Sequence, residues 1–589
     1  MLDRPTLPTR CAWRAACLLA LCAHASAAPP DDPPAAAAPA EMAPATQPAD
    51  YDAATRPTVV VRTFRFEGNT RFSDAELSRV VARYTNRPIT VEALEDARLA
   101  LTRRYVEKGY INSGAILPDQ TVEGGAVTFQ IVEGKLSEIR LTGNQRLRRG
   151  YVTRRLQKSA EPVLNLVTLR DRLELLRQDP NLRSIQAELR PGLAPGEGVL
   201  DVQVSEAEPF QLGVVYSNRR PPSVGATAVD IVGFVRNPTG FGDLLSFQYD
   251  LANGPLDGLR LAGAEDFSFD YTVPITYNDT TLSFSFSRTD SVVVETPFED
   301  LEIGSDTDSY ALTIRHPLYR RPVAEPATET RRARPAVEVA VFASAALRDS
   351  ETTLLGETFE FSPGTDDGRS RVAVLRLGQE LITRGPARAL SVRSTFSLGL
   401  DTLSATTNGE DRIFGRDLPD GQFLSWLGQA QYVQRLDFGN LDLGRLGTLP
   451  LSRSQLVLRG AGQLSSSPLL PIEQFAVGGM DTVRGYRENR LVRDQGFAAS
   501  AELRLPLILN AAGEDVLAVV PFFDFGCARD RERGDEGETL SSVGLGVVFT
   551  PERRVSLQVY YGYPMTNQGD SHQDLQDIGL HFNFSVYAF

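Results

Sequence analysis

The feature that most narrows what this chain can become is a period-two alternation of apolar and polar residues, running with interruptions from about residue 211 to Phe589. Leu390, Val392, Phe396, Leu398 and Leu400 alternate with Ser391, Arg393, Thr395, Ser397 and Gly399. Val555, Leu557, Val559, Tyr561 and Tyr563 alternate with Ser556, Gln558, Tyr560 and Gly562, and Phe497 to Leu507 behaves likewise around Ser500, Glu502 and Arg504. Successive side chains of a strand point to opposite faces, so each segment is a strand with one apolar and one polar side. In a soluble sandwich the apolar side meets a core; in a membrane barrel it meets lipid, and the polar side lines a lumen.

Length and charge choose between the two. About sixteen such strands, divided by Asp-, Gly- and Pro-rich connections, fit the region at about 24 residues per strand and connection, a comfortable allowance for tilted strands that cross a bilayer. Charged residues recur inside the long strands, as a wet lumen permits. We therefore expect a mainly β chain, its C-terminal two-thirds a 16-stranded transmembrane β-barrel, wide enough for an aqueous passage. Composition agrees: 42% apolar and 23% charged residues exclude a disordered chain. No run reaches 18 apolar residues, so no helix is available to span a membrane. In the last strand Phe582, Phe584, Val586 and Ala588 share the apolar face, which puts Phe589 with Asn583 and Ser585 unless the end is bulged.

The N-terminus points out of the cytoplasm. Arg4, Arg10 and Arg14 precede an apolar run from Ala15 to Ala23, followed by Ala25-Ser26-Ala27. This is a signal peptide, 1–27, with cleavage expected after Ala27. Three of the four cysteines lie in it, so the remainder keeps only Cys527, expected to face lipid, and forms no internal disulfide. Residues 28–57 are Pro/Ala-rich and expected to be a solvated linker. Residues 58–210 carry 23 Lys/Arg against 20 Asp/Glu, while 211–589 carry about -15 in a chain whose net charge is -14. So acidic a barrel argues against a nucleic-acid partner.

Between linker and barrel lies a repeat of about 75 residues. Phe66-Glu67-Gly68-Asn69 returns as Leu141-Thr142-Gly143-Asn144, and TFQIVE (128–133) as DVQVSE (201–206). Each copy, 58–135 and 136–210, reads strand, helix, helix, strand, strand. In the first, Val59, Val61, Phe64 and Phe66 suit one strand, Ser73 with Glu76 makes a capping box, and Leu94, Ala97, Leu101 and Tyr105 line a helix that Gly109 stops. In the second, Leu166, Leu169, Leu173 and Leu176 play the same part before Pro180. A three-stranded sheet under two helices leaves an open strand edge on which another extended chain can pair.

One long connection, about 467–495 between the eleventh and twelfth strands, contains Val483-Arg484-Gly485-Tyr486. Two strands later come Phe522, Asp524 and Gly526 on one face, with Phe523, Phe525 and Cys527 on the other. The second set is the lipid face, so Asp524 points into the lumen, where a packed carboxylate needs a cation. Arg484 is the candidate: its fork suits a bidentate carboxylate, and Gly485 lets the loop backbone approach the wall. His316, His572 and His581 are scattered without a Cys or acidic cluster, no GxSxG elbow occurs, and no GxxxxGK[ST] loop is present. Neither a metal, a cofactor, an enzyme activity nor nucleotide-driven work is expected.

With these residues in view, the chain after the linker resembles the outer-membrane transporters of two-partner secretion, the haemolysin secretion/activation type, within the superfamily that joins periplasmic polypeptide-transport-associated (POTRA) domains to a barrel. Val483 to Tyr486 resembles the family's inward loop motif, and Phe522, Asp524 and Gly526 its partner on the wall. Gly109 and Tyr110, then Leu117-Pro118-Asp119-Gln120 and Glu133-Gly134, are similar to the first POTRA pattern. The resemblance implies two POTRA domains that receive a secreted exoprotein, with Gly109, Tyr110, Pro118 and Gln120 as substrate-binding candidates. It also implies export of that unfolded partner, haemolysin- or adhesin-like, from periplasm to surface through a barrel set in outer-membrane lipid, which a single chain can close as a monomer. The rival readings are a membrane-protein insertase of the same superfamily and a passive porin. Two departures stand out: 28–57 shows no amphipathic pattern for the N-terminal plug helix common in the family, and Arg493-Asp494 stands where a Gly-Asp pair is usual.

Overall fold

The computed structural model describes residues 58–253, 264–322, 335–408, 412–413, 416–442, 444, 448–531, 537–566 and 574–588. The expected leader, linker, plug segment, His572 and Phe589 lie outside the described residues. The chain divides into two compact units, one ending at Glu206 and the other running from Ala207 to Phe589.

The first unit contains two α+β modules. In the first, the strands Thr63–Glu67, Ala126–Val132 and Gly114–Ile116 form a sheet in that order, the first pair parallel and the second antiparallel. The helices Asp74–Val81 and Val91–Glu107 bury Leu77, Val81, Leu94, Ala97, Leu101 and Tyr105 against Phe64, Phe66, Val127, Phe129 and Ile131. The capping box at Ser73 and Glu76 is formed, and Gly109 follows the second helix at φ 90°. One expectation needs correcting here. The segment read as a single first strand breaks at Arg62, and Thr58–Val61 leaves the sheet to pair with Arg87–Thr90 between the helices. The alternation changes parity across the break, from Val59 and Val61 to Phe64 and Phe66, a step that one continuous strand cannot keep on a single face.

The second module repeats the plan with Lys135–Thr142, Glu197–Glu206 and Leu182–Pro191 in one sheet under helices Arg149–Gln157 and Leu166–Arg177. Its first strand opens one residue earlier than the expected boundary, and Leu166, at the helix start, is exposed rather than packed. The repeat has a physical cause. Gly68 and Gly143 turn at φ 87° and 84° with a strand carbonyl, of Ile131 or Val204, where a Cβ would sit. The turn amides that follow are held by the glutamate ending the last strand. Glu133 accepts from the N–H of Thr70 and Arg71 (2.9 and 2.8 Å), and Glu206 from those of Gln145 and Leu147 (2.7 and 2.8 Å).

The second unit is a closed antiparallel barrel of sixteen strands: Phe210–Ser217, Thr227–Arg236, Leu244–Asn253, Ala264–Pro274, Thr281–Val292, Gly304–Arg321, Ala336–Leu354, Arg369–Arg384, Arg388–Leu400, Leu424–Leu436, Ser454–Ser465, Gln495–Leu509, Asp515–Arg529, Glu538–Glu552, Val555–Pro564 and Leu580–Tyr587. A two-residue strand, Glu357–Thr358, lies beside the seventh without separating it from the eighth. The sixteenth strand pairs back on the first, from Asn583 opposite Ser217 to Tyr587 opposite Gly213. The faces are inverted relative to a soluble protein: Phe396 and Leu398 are 47% and 45% exposed, whereas the intervening Thr395 and Ser397 are buried. Phe284, Tyr310, Leu377, Phe523, Leu545 and Tyr561 continue the exposed apolar surface, which fits a hydrocarbon surround. No described helix is long and apolar enough to cross a membrane; the barrel crosses with strands.

Candidate functional site: an inward loop clamped to the barrel wall

The connection between the eleventh and twelfth strands folds against the inner wall. Its two legs, Phe475–Val477 and Leu491–Arg493, pair antiparallel, so the loop enters as a narrow ribbon whose tip is Thr482 to Tyr486. Asp494 holds the base of the ribbon closed: it is 2% exposed and accepts from the N–H of Leu469 and Arg531 (both 2.9 Å) and from the Gln474 amide (3.0 Å). The departure at Arg493-Asp494 is thereby explained. The aspartate closes the loop, and the preceding arginine turns to Glu538 at 2.9 Å and Asp530 at 3.4 Å.

At the tip, Arg484 is 2% and Asp524 0% exposed. Nε and Nη2 of Arg484 donate to the two oxygens of Asp524, each at 2.8 Å, and its backbone N–H donates to the same carboxylate at 3.0 Å. Nη1 reaches Glu502 at 2.7 Å and Nη2 also reaches Ser500 at 3.0 Å. Glu502 is shared with the partly exposed Arg459 at 3.0 Å, so two guanidinium groups meet two carboxylates. The Arg484 plane lies against the Phe522 ring, 3.6 Å from its centroid, with Tyr560 at 4.8 Å. Every polar edge of the guanidinium is met by oxygen and its face by an aromatic ring, the condition under which a buried charge is tolerated.

The wall motif is now legible residue by residue. Phe522 stacks on the arginine and Asp524 pairs with it. Gly526 has no side chain because a Cβ there would stand 2.4 Å from Val477 and 2.8 Å from Val483 of the loop. Val483 itself is fully buried. Gly485, at φ 91°, presses on Gly562 of the fifteenth strand: a Cβ on Gly485 would lie 2.7 Å from the Gly562 carbonyl oxygen, and one on Gly562 would lie 2.6 Å from the Gly485 nitrogen. Tyr486 is 1% exposed; its hydroxyl donates to the Ser541 carbonyl (2.9 Å) and accepts from the Thr566 N–H (3.0 Å).

The loop is also held at its stem, with the charges reversed. Glu473 accepts from Nη2 of Arg376 at 2.6 and 2.8 Å and lies 3.1 Å from Arg348, on the eighth and seventh strands. One loop therefore touches inward side chains of the seventh, eighth, eleventh, twelfth, thirteenth, fifteenth and sixteenth strands, the last through His581, whose Nε2 accepts the Gly485 N–H at 3.1 Å. Sequence reasoning missed Glu473, Ser500, Glu502, Gly562 and His581. Ser500, Glu502 and His581 lie on the polar parity of their strands and had a signal; Glu473, in an irregular connection, had none. Cys527 is a half-buried free thiol on the opposite parity from Asp524, and His316 bonds Thr280 at 2.8 Å. Among the described residues no group of three or more His, Cys, Asp or Glu is placed to hold a metal ion.

The four candidates in the first module occupy different environments. Gly109 sits at the joint between modules, where its carbonyl accepts the Leu166 N–H (2.9 Å) and Asn165 fills the space of a Cβ. Tyr110 is a core residue, 7% exposed, edge-on to Phe72 and Tyr105 and bonded to Arg71. The Tyr110 ring is thus packed inside the module, with its hydroxyl end met by Arg71. Past Ile116 the edge strand leaves its ladder at Leu117-Pro118, and the Gln120 side chain takes its place, donating to the Thr128 carbonyl and accepting from its N–H, both at 2.8 Å.

Residues 59–134 match the ShlB-type POTRA domain, and residues 196–329 and 366–549 match the haemolysin secretion/activation protein ShlB/FhaC/HecB. The chain belongs to the haemolysin secretion/activation family. Its similarity extends to the outer membrane transporter CdiB of Dickeya dadantii (strain 3937), 24% identical over 91% of this chain and 88% of the relative. The heme/hemopexin transporter protein HuxB of Haemophilus influenzae (strain 86-028NP) is 20% identical over 85% and 82%. Among solved structures, CdiB from Escherichia coli has the same fold, with a TM-score of 0.64 at 21% identity over 91% of this chain and 92% of that one. This member of the haemolysin secretion/activation family is an outer-membrane, two-partner secretion transporter that exports a partner protein, its POTRA region periplasmic.

Proposed function

We propose that the barrel carries one unfolded exoprotein, haemolysin- or adhesin-like, from periplasm to cell surface as a monomer in outer-membrane lipid, without nucleotide, and that Val483, Arg484, Gly485 and Tyr486 with Phe522, Asp524 and Gly526 are its gate. The observation that supports this reading is the buried Arg484–Asp524 pair, which fastens a loop across the inner wall. The partner arrives extended and pairs along the first module, displacing Gln120 from Thr128; Pro118 ends the native ladder beside that point because it lacks an N–H. Folding outside the membrane supplies direction.

The test is secretion of the cognate exoprotein, measured in the medium at matched barrel levels. Arg484→Ala and Asp524→Ala each abolish or sharply reduce it. Normal secretion by both removes the clamp from the mechanism. A disulfide that blocks the lumen must also stop export; continued activity with a blocked lumen would favour an insertase.

A further inference from the structure

Gln576 lies in the connection between the fifteenth and sixteenth strands and has no exposed surface. Its amide nitrogen donates to the carbonyls of Asn218 (2.8 Å) and Arg220 (2.6 Å), just past the end of the first strand. Its oxygen accepts the backbone N–H of Glu488 (2.8 Å), four residues beyond Arg484 in the inward loop. One side chain thus joins the loop to the chain leaving the first strand.

Asn218, equally buried, faces the other way. Its Nδ2 donates to the Leu580 carbonyl at 2.8 Å and its Oδ1 accepts the Phe582 N–H at 2.7 Å. A side-chain amide makes here the pair of bonds that a strand residue makes with its backbone, and it prolongs the seam between first and last strands beyond Ser217. That seam is short, with five paired positions against sixteen between the seventh and eighth strands. The sixteenth strand meets the loop directly, through His581 and Gly485. Both strands of the seam therefore hang on the loop, the last through His581 and the first through Gln576 at the loop backbone, with a more exposed Arg219–Asp481 ion pair beside it.

We propose that Gln576 is a positioning residue that couples the inward loop to closure of the barrel, so that releasing the Arg484 clamp loosens the seam between the first and sixteenth strands. Glutamine suits the post because the junction needs two donors and one acceptor on a neutral group. A glutamate keeps the acceptor for Glu488 but loses both donors toward the first strand, so the two halves of the junction are separable. The proposal rests on the reading of the loop as the export clamp, and its test needs no export.

The experiment is hydrogen exchange, read by mass spectrometry on the purified full-length protein in detergent, with the folded state checked by heat-dependent gel migration. Arg484→Ala is expected to speed exchange in Phe210–Ser217 and Leu580–Tyr587 about tenfold, with the seventh and eighth strands within about twofold of wild type. Gln576→Glu speeds Phe210–Ser217 by a similar factor while the clamp is intact, and adding Arg484→Ala to it then accelerates Leu580–Tyr587 more than Phe210–Ser217, which keeps only the exposed Arg219–Asp481 pair to the loop. Asn218→Asp, which loses one donor across the seam, is the second variant should Gln576→Glu not fold. Wild-type exchange in Phe210–Ser217 when Arg484 is removed, or equal acceleration of all strands by Gln576→Glu, would overturn the coupling.

Discussion

The carboxylates that fasten turns in the modules and those that pin the tip and stem of the barrel's inward loop are satisfied in opposite ways. In the modules Glu133 and Glu206 end a strand and gather backbone N–H groups of the neighbouring turn. In the barrel Asp524, Glu502 and Glu473 are met by guanidinium groups from other elements. The difference follows from what each site joins. A turn beside a strand has amides to offer and needs no distant partner. A loop lying against a wall has the backbone of its legs paired in a ribbon, so side chains must reach across to fasten it, and where such a side chain is charged it must be matched because it is out of water.

The comparison breaks most visibly at Arg484. Arg484→Ala leaves Asp524 and Glu502 buried with Arg459 alone and is expected to cost about 3–5 kcal/mol, read as a lower temperature for loss of the folded gel band together with lost export. Glu473→Ala leaves two guanidinium groups facing each other across the stem and costs about 3 kcal/mol by the same reasoning; a fall as large as that of Arg484→Ala would place equal weight on stem and tip. Gly485→Ala keeps every charge but sets a methyl against the Gly562 carbonyl at positive φ, a cost of about 1–3 kcal/mol. Its gel transition falls between that of Glu473→Ala and wild type.

The amide-held carboxylates give the smallest and pH-linked effect. Burial raises the Glu133 carboxyl, and the bonds from Thr70, Arg71 and Tyr105 outweigh it, leaving the group below its ordinary value. Glu206 is likewise held down by the amides of Leu147, Gln145 and Arg146 against the opposing effect of burial. A group with a depressed folded pKa stabilises fully above its unfolded value, about 4.3, and its contribution disappears as pH falls through the lower folded value. The urea midpoint followed at 222 nm, where the described α-helices all belong to the modules, should drop as pH falls below about 4.5. The Glu133→Gln, Glu206→Gln double variant should start lower at pH 7 and lose less on acidification; an equal loss would detach these two carboxylates from the acid response.

Much of this was readable before any coordinates, for a reason that particular residues show. Phe523 and Asp524 are adjacent yet fall on opposite faces, one 46% exposed and one fully buried, because a strand alternates by geometry. Ser500, Glu502 and His581 obey the same parity in the structure, although none of them was singled out from the sequence as a partner of the loop. The break at Arg62 shows in the sequence only as a change of parity, from Val59 and Val61 to Phe64 and Phe66, and is easily passed over in so short an apolar run. For Gln120 and Tyr110 the pattern shared with a family marks positions, and only the structure places Tyr110 in the core and Gln120 at the end of a ladder.

What the sequence by itself determined is periodic or local: strands with one oily face, sixteen of them, a twice-used module with its glycine turn, and an arginine in a loop awaiting an aspartate on a wall. Only the tertiary structure decided which distant groups meet inside the closed barrel. Glu473 finds Arg376 and Arg348, 97 and about 125 positions away, Gly485 finds Gly562, and Gln576 finds both Asn218 and Glu488. Closure of the barrel and the path of one loop set those encounters, and neither leaves a period in the chain.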